Sequence, residues 1–265
     1  KLNVYAGIHN ASSLQHGTSD LYKSADRVRD VSYTEASAQV GIQAEKIVHH
    51  STDWTQKYIY GMESSNSNIS NFYTGVSPLP PEVFPLKRFP DTRETTRSIY
   101  AQTEWLSDQW SITPGVRLDH FALDVTSQDL FYPPAKQAGQ SLADSAVSPK
   151  LGVKWNANAQ WSAFAQYAEG FKAPNANQVN GYFELSPVPG NPNYVTIVAN
   201  PQLQAERSKN LELGMRYRTP GLMLDAAIFS GEFNQLIQDL KALGGTGLIN
   251  DPLRFQTVNI DHARI

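Results

Sequence analysis

Asn210-Leu211-Glu212-Leu213-Gly214-Met215-Arg216-Tyr217-Arg218 decides how this chain is read. Leu211, Leu213, Met215 and Tyr217 occupy one parity, while Glu212, Gly214, Arg216 and Arg218 occupy the other. Successive side chains of a strand point to opposite faces, so the segment has one apolar face and one polar face. The same period of two runs through Leu2, Val4, Ala6 and Ile8, through Ala36 to Ala44, through Ile99 to Trp105 and through Ile112 to Leu118. Alternating segments near 1–10, 32–48, 54–64, 97–107, 109–124, 147–156, 160–171, 208–218, 221–236 and 254–265 make about ten strands. Most are ten residues or longer. Strands of soluble proteins run nearer about five or six residues, whereas about nine to eleven tilted residues cross a bilayer.

The connections alternate in length. His49–Asp53, Ser107–Gln109, Asn156–Gln160 and Thr219–Gly221 are tight; the stretches near 11–31, 65–96, 125–146, 172–207 and 237–253 are long and polar. Trp54, Trp105, Trp110, Trp155 and Trp161 all stand beside a tight turn. A short-turn rim with an aromatic girdle opposite a long-loop rim is the pattern of an outer-membrane barrel. A soluble β-sandwich with one wet face is the alternative. Leu236–Leu243 is the best helical candidate, as one turn within a loop.

Composition narrows the function. The 265 residues carry 22 basic and 25 acidic side chains, net charge −3, 40% apolar residues and 11% aromatics. That balance leaves no global nucleic-acid footprint. The absence of cysteine excludes disulfides, thiolate metal sites and a cysteine nucleophile. There is no Gly-x-Ser-x-Gly, no His-Glu-x-x-His and no isolated carboxylate pair, so no enzyme is expected. Gly244-Gly245-Thr246-Gly247 lacks the Lys-Ser/Thr ending of a phosphate loop. Pro78-Leu79-Pro80-Pro81 stiffens a long connection and is a candidate partner contact.

Particular residues then carry a family likeness. Gly170-Phe171-Lys172-Ala173-Pro174 resembles the Gly-Phe-Arg-Ala-Pro motif of TonB-dependent outer-membrane receptors. Asn200-Pro201-Gln202-Leu203, followed by Glu206-Arg207-Ser208 and Leu211-Glu212-Leu213-Gly214, resembles their Asn-Pro-Asp-Leu-Lys-Pro-Glu-x-Ser…Glu-Leu-Gly run. Asn180-Gly181-Tyr182-Phe183 and Tyr194-Val195-Thr196-Ile197 are similar to the haem and haemoglobin branch. Lys172 replaces the usual Arg, Gln204-Ala205 replaces Lys-Pro, and no His lies in 175–199. The resemblance implies an all-β, antiparallel transmembrane barrel in the bacterial outer membrane, of about 22 strands, plugged and energised by TonB. Residues 1–265 begin and end inside alternating segments and are read as a partial barrel domain, with the N-terminal plug, the TonB box and the C-terminal strands missing.

The resemblance implies iron uptake as haem, with a haem-carrying protein such as haemoglobin as source, haem as transported ligand and no resident cofactor. A ferric-siderophore receptor is the nearest alternative; a passive porin and a soluble β-sheet binding protein are the others. Haem asks for an axial donor, and tyrosinate is one. Tyr194 is the candidate axial ligand to haem iron and Tyr182 the second, each with the alternative of an ordinary loop tyrosine that packs its ring and wets its hydroxyl. His16, in the first long connection, is a further donor candidate or a solvated surface histidine. Lys172 and Arg207 flank the loop and suit propionates or protein carboxylates; pairing with Glu206 or Glu169 is the alternative. Phe171, Ala173, Pro174, Asn200, Pro201, Gln202 and Leu203 read equally as hinges of that loop. Arg117, Asp119, Glu212, Arg216, Arg218 and Asp225 are expected to line a wet lumen and hold the plug. Gly214→Arg, on the inward parity, is expected mainly to perturb the lumen.

Overall fold

A computed structural model describes residues 1–19, 27–50, 53–77, 82–131, 138–187 and 192–265. Pro78–Pro81, the candidate partner contact, lies outside them. Twelve strands form one sheet: β1 (Leu2–Ser19), β2 (Arg27–His49), β3 (Thr55–Val76), β4 (Asp91–Leu106), β5 (Trp110–Ser127), β6 (Leu142–Asn156), β7 (Trp161–Lys172), β8 (Phe183–Leu185), β9 (Val195–Val198), β10 (Glu206–Thr219), β11 (Leu222–Gly244) and β12 (Leu253–Arg264). Their order is β1-β2-β3-β4-β5-β6-β7-β10-β11-β12-β9-β8. The ten long strands meander antiparallel and match the ten alternating segments. The short β8 and β9 were not expected. They belong to the 173–205 connection, and β9 adds to β12 in parallel.

The strands run further than the alternation does. β2 has 23 residues and β3 has 22, against about nine to eleven needed to cross a bilayer. The excess lies on the long-connection side, so those connections shrink to 20–26, 77–90, 128–141 and 245–252. Ser64-Ser65-Asn66-Ser67-Asn68 shows why: both faces there meet water, so period two fades while backbone pairing continues.

Within the alternating zone the apolar parity points outward. Ile42, Met62, Ile99, Leu118 and Val147 are successive ladder partners and 37–57% exposed. At the tight-turn rim the Trp110 and Trp155 rings stack 5.8 Å apart, and Trp161 lies 4.7 Å from Tyr217. The inward parity carries charges that in part pair with one another. Arg117 donates to Asp119 at 2.8 Å and also to Glu63; Ser98 donates to Asp119 at 2.6 Å; Tyr5 donates to Glu63 at 2.8 Å. Arg216 pairs with Asp225.

Two expectations are corrected. Leu236–Leu243 is strand, not helix. Each of two register shifts, Gln238/Lys241 and Ala242/Gly244, inserts one residue against β12, and Gln235 and Leu240 take positive φ (57° and 56°). Bulges flip parity, so apolar residues recur at wider, helix-like intervals. Gly214 is not an open lumen position: the Phe164 ring covers it, as the Tyr5 and Tyr100 rings cover Gly41 and Gly61. Any added side chain there would strike the ring.

Leu213, 43% exposed between Ala165 and Ile228, therefore faces lipid. Leu213→Arg is expected to cost about 2–4 kcal/mol. Gln166→Arg, at the inward position beside Glu212, is expected to cost less than about 1 kcal/mol. Unfolding titrations of the reconstituted protein compare the two, and equal losses would contradict the facing.

Candidate functional site

The 173–205 connection folds back onto the inner face above the charged belt. Pro174 cannot donate to the ladder and is fully buried where β7 ends. Asn175 then caps a short helix α1 (Ala176–Asn180): its side chain accepts from the Gln178 N–H at 2.9 Å, and the Gln178 side chain accepts from the Asn175 N–H at 3.1 Å. Ala176 and Val179 pack with Phe121, Leu123, Ile69, Phe89 and Leu203 in a buried cluster. Phe121 and Leu123 continue the inward parity of Arg117 and Asp119. The inner face thus turns from charged to apolar where the loop needs a seat. Asn180, fully buried, holds the 128–141 connection by a reciprocal pair: its amide donates to Gln140 O and accepts from Gln140 N, both at 2.8 Å.

The returning limb is tied as firmly. Asn200 N–H donates to Val179 O at 3.0 Å, and the Asn200 amide donates to Thr257 O at 3.0 Å. The same side chain accepts from the Gln202 N–H at 3.1 Å, and Leu203 is buried in the cluster. Pro201 and Gln202 are exposed. Phe171 and Ala173 pack against the cluster. The family-like motifs thus anchor the two ends of one loop.

Lys172 lies 3.0 Å from Glu206, its ladder partner. Arg207 reaches Asp144 at 3.3 Å and Ser145 O at 3.0 Å, with the Phe171 ring 5.6 Å away. Above Lys150↔Ala168 the β6–β7 ladder stops, and Arg207 bridges that gap. His16 stands on edge strand β1, its Nδ1 2.5 Å from Asp30, at the other end of the sheet order from β8.

The two tyrosines come together. β8 and β9 form a small hairpin that brings Tyr182 and Tyr194 to one cavity of 460 Å³, with Glu184, Thr196, Ile249 and Arg254 among its walls. Tyr182 is 5% exposed and donates its hydroxyl to Glu184. Tyr194 is half-buried; its N–H donates to Gly247 O at 2.8 Å and its carbonyl accepts from the Leu253 N–H at 2.9 Å. Arg254 makes no ion pair or side-chain hydrogen bond among the described residues.

Arg88 was not foreseen. It lies between the Tyr73 ring at 4.6 Å and the Phe183 ring at 3.4 Å, and its carbonyl accepts from the Tyr182 N–H at 2.8 Å. Buried Glu82 stands 3.7 Å from Arg88 and accepts from Arg27. Burial pushes the Arg88 guanidinium down to about 10. This clamp ties residues 82–90 to β8. The only visible cue was a run of Lys and Arg near Pro85, Phe89 and Pro90.

A profile described as TonB dependent receptor-like, beta-barrel, matches residues 2–265. The chain is 25% identical over 219 residues to the ferric enterobactin receptor PirA of Pseudomonas aeruginosa, covering 80% of this chain and 26% of that protein. It is 31% identical over 140 residues to an iron-regulated outer membrane virulence protein of Vibrio cholerae, covering 52% and 18%. Among solved structures, the siderophore receptor PirA superposes with a TM-score of 0.63 at 18% identity, over 99% of this chain and 46% of that one. The hemophore receptor HasR of Serratia marcescens, in complex with its hemophore HasA and heme, gives 0.63 at 15%, over 98% and 45%. The chain spans about a quarter or less of the length of these curated relatives.

Val179→Asp places a charge inside the cluster and is expected to unseat the loop. Limited proteolysis of the folded protein then cuts within 173–205, while Val83→Asp, at a position 69% exposed, leaves the digest unchanged. A resistant Val179→Asp loop would mean that the cluster does not hold it.

Proposed function

Because the chain belongs to the TonB-dependent receptor family through its β-barrel, we propose that it forms barrel wall and ligand loop of an outer-membrane receptor whose cargo is a ferric siderophore held at the Tyr182–Tyr194 cavity. The observation that carries this reading is Arg254, a cation on the wall of that cavity that makes no ion pair among the described residues. Catecholate-type chelates of iron(III) are anionic and present flat rings. A guanidinium matches their charge, and aromatic and aliphatic walls match their rings. Glu184 stands on the same wall with its carboxylate engaged by the Tyr182 hydroxyl, and Arg254 is the cation of that wall. The names of the curated relatives, ferric enterobactin receptors among them, support the same class.

Haem is the second reading, favoured by the two phenols that share the cavity. Tyrosinate is a known axial donor to haem iron, and Tyr194 stays the first candidate with Tyr182 behind it. A carrier such as haemoglobin would then be the source. In either reading the barrel needs further strands: β1 ends the sheet order, and an open edge has no place in lipid. The plug and the TonB contact are assigned to segments outside residues 1–265.

Titration of the full-length receptor with ferric enterobactin and with haemin, followed by tryptophan quenching and the haem absorption spectrum, separates the two. Arg254→Ala is expected to raise Kd for the ferric catecholate about tenfold, while Tyr194→Phe leaves it unchanged. Loss of a high-spin tyrosinate haem spectrum in Tyr194→Phe would favour haem. Wild-type behaviour of both variants with both ligands would remove this cavity as the site.

A further inference from the structure

The outer face of β3–β6 changes character along one register line. Met62, Ile99, Leu118 and Val147 form its last wholly apolar row. The next outward row, towards the long connections, reads Ser64, Arg97, His120 and Ser145, again partner to partner. Arg97 and His120 therefore sit side by side at the level where side chains stop suiting hydrocarbon. A groove of 690 Å³ opens there, walled by the apolar row and rimmed by the two basic residues.

Charge around the groove is one-sided. Arg97 is exposed and makes no ion pair or side-chain hydrogen bond among the described residues. His120 bonds Ser145 Oγ through Nδ1 at 2.9 Å, which leaves its other ring nitrogen uncommitted. Glu63 and Asp119 touch the groove but belong to the inward parity, where Arg117 holds both. The nearest outward carboxylate on β5 is Asp124, four residues further from the membrane and opposite Arg93. A cation at the edge of hydrocarbon without a protein counter-charge is costly, and lipid phosphate lies at that depth. Tight turns face the periplasm in this architecture, so the row lies in the outer leaflet.

We propose that this groove is a binding site for a phosphate-bearing lipid of the outer leaflet, with an acyl chain along Ile99, Leu118 and Val147 and a phosphate on Arg97 and His120. The site is separate from the cargo cavity and stands or falls independently of the cargo.

Native mass spectrometry of the detergent-solubilised full-length receptor, titrated with bis-phosphorylated lipid A, tests it. One tightly held adduct is expected, weakened about tenfold by Arg97→Gln and to a similar degree by removing the phosphates from the lipid. Val147→Trp fills the groove, leaves the charges in place and is expected to weaken binding as well; Lys209→Gln, an exposed charge on β10, is expected to change nothing. Heat-modifiable mobility on gels shows that each variant is folded. Wild-type affinity in both Arg97→Gln and Val147→Trp would overturn the proposal. So would complete displacement of the lipid by millimolar inorganic phosphate, the mark of a bare anion site.

Discussion

A peptide group in hydrocarbon has no water to bond, and each one left unpaired costs several kcal/mol. Every strand in the alternating zone of this chain is consequently locked to its neighbours, register partner by register partner, from β1 through β7 to β10, β11 and β12. With the backbone committed, the side chains alone mediate between lipid and lumen. Period two follows, because a paired strand has only two faces. The inward face is freed to carry polar groups, and it satisfies them laterally: Arg117 with Glu63 and Asp119, and Arg216 with Asp225.

Water returns above the lipid zone, and the design inverts. Outside, Ser64, Asn66 and Asn68 replace Met62 and Tyr60. Inside, Phe121 and Leu123 replace Arg117 and Asp119. The hydrophobic effect requires water to exclude, so only here can burial hold a loop in place. The cluster of Ile69, Phe89, Phe121, Leu123, Val179 and Leu203 is therefore an ordinary aqueous core at the mouth of a membrane structure. It gives the 173–205 connection a fixed seat, and the Arg88 clamp adds a second connection to the same rigid unit.

That inversion explains which parts of the molecule were legible in sequence. Alternation marks chain between two different media, so it found the ten long strands but stopped at the lipid boundary. β2 and β3 continue well past it with no change that a period can detect. The bulges at Gln238 and Ala242 turned a strand into a helix-like spacing. α1, by contrast, left a usable signal: Asn175-x-x-Gln178 is a capping pattern, followed by Gly181. The pairing of Tyr182 with Tyr194 in one cavity depends on a hairpin of a few residues, below the length at which alternation speaks. Arg88 and Asn180 left no periodic trace, because each is defined by long-range partners that no local spacing records.

The loop also separates what marks the family from what lines the cavity. Pro174, Asn175, Asn200 and Leu203 bond or bury against α1, β12 and the inner wall. They serve any loop of this length that must start and end on the barrel rim, whatever lies between. Tyr182, Glu184 and Tyr194 stand between those anchors and, with Ile249 and Arg254 from beyond the loop, line the cavity. A match to the anchors therefore carries the fold between distant relatives without carrying the ligand, because the physical demands on the two sets differ. Anchors answer to backbone hydrogen bonds and burial, which all barrels of this kind share. If the cavity holds the proposed cargo, its lining answers to the charge and shape of that cargo, and Tyr182, Glu184, Tyr194, Ile249 and Arg254 rather than the motifs select it.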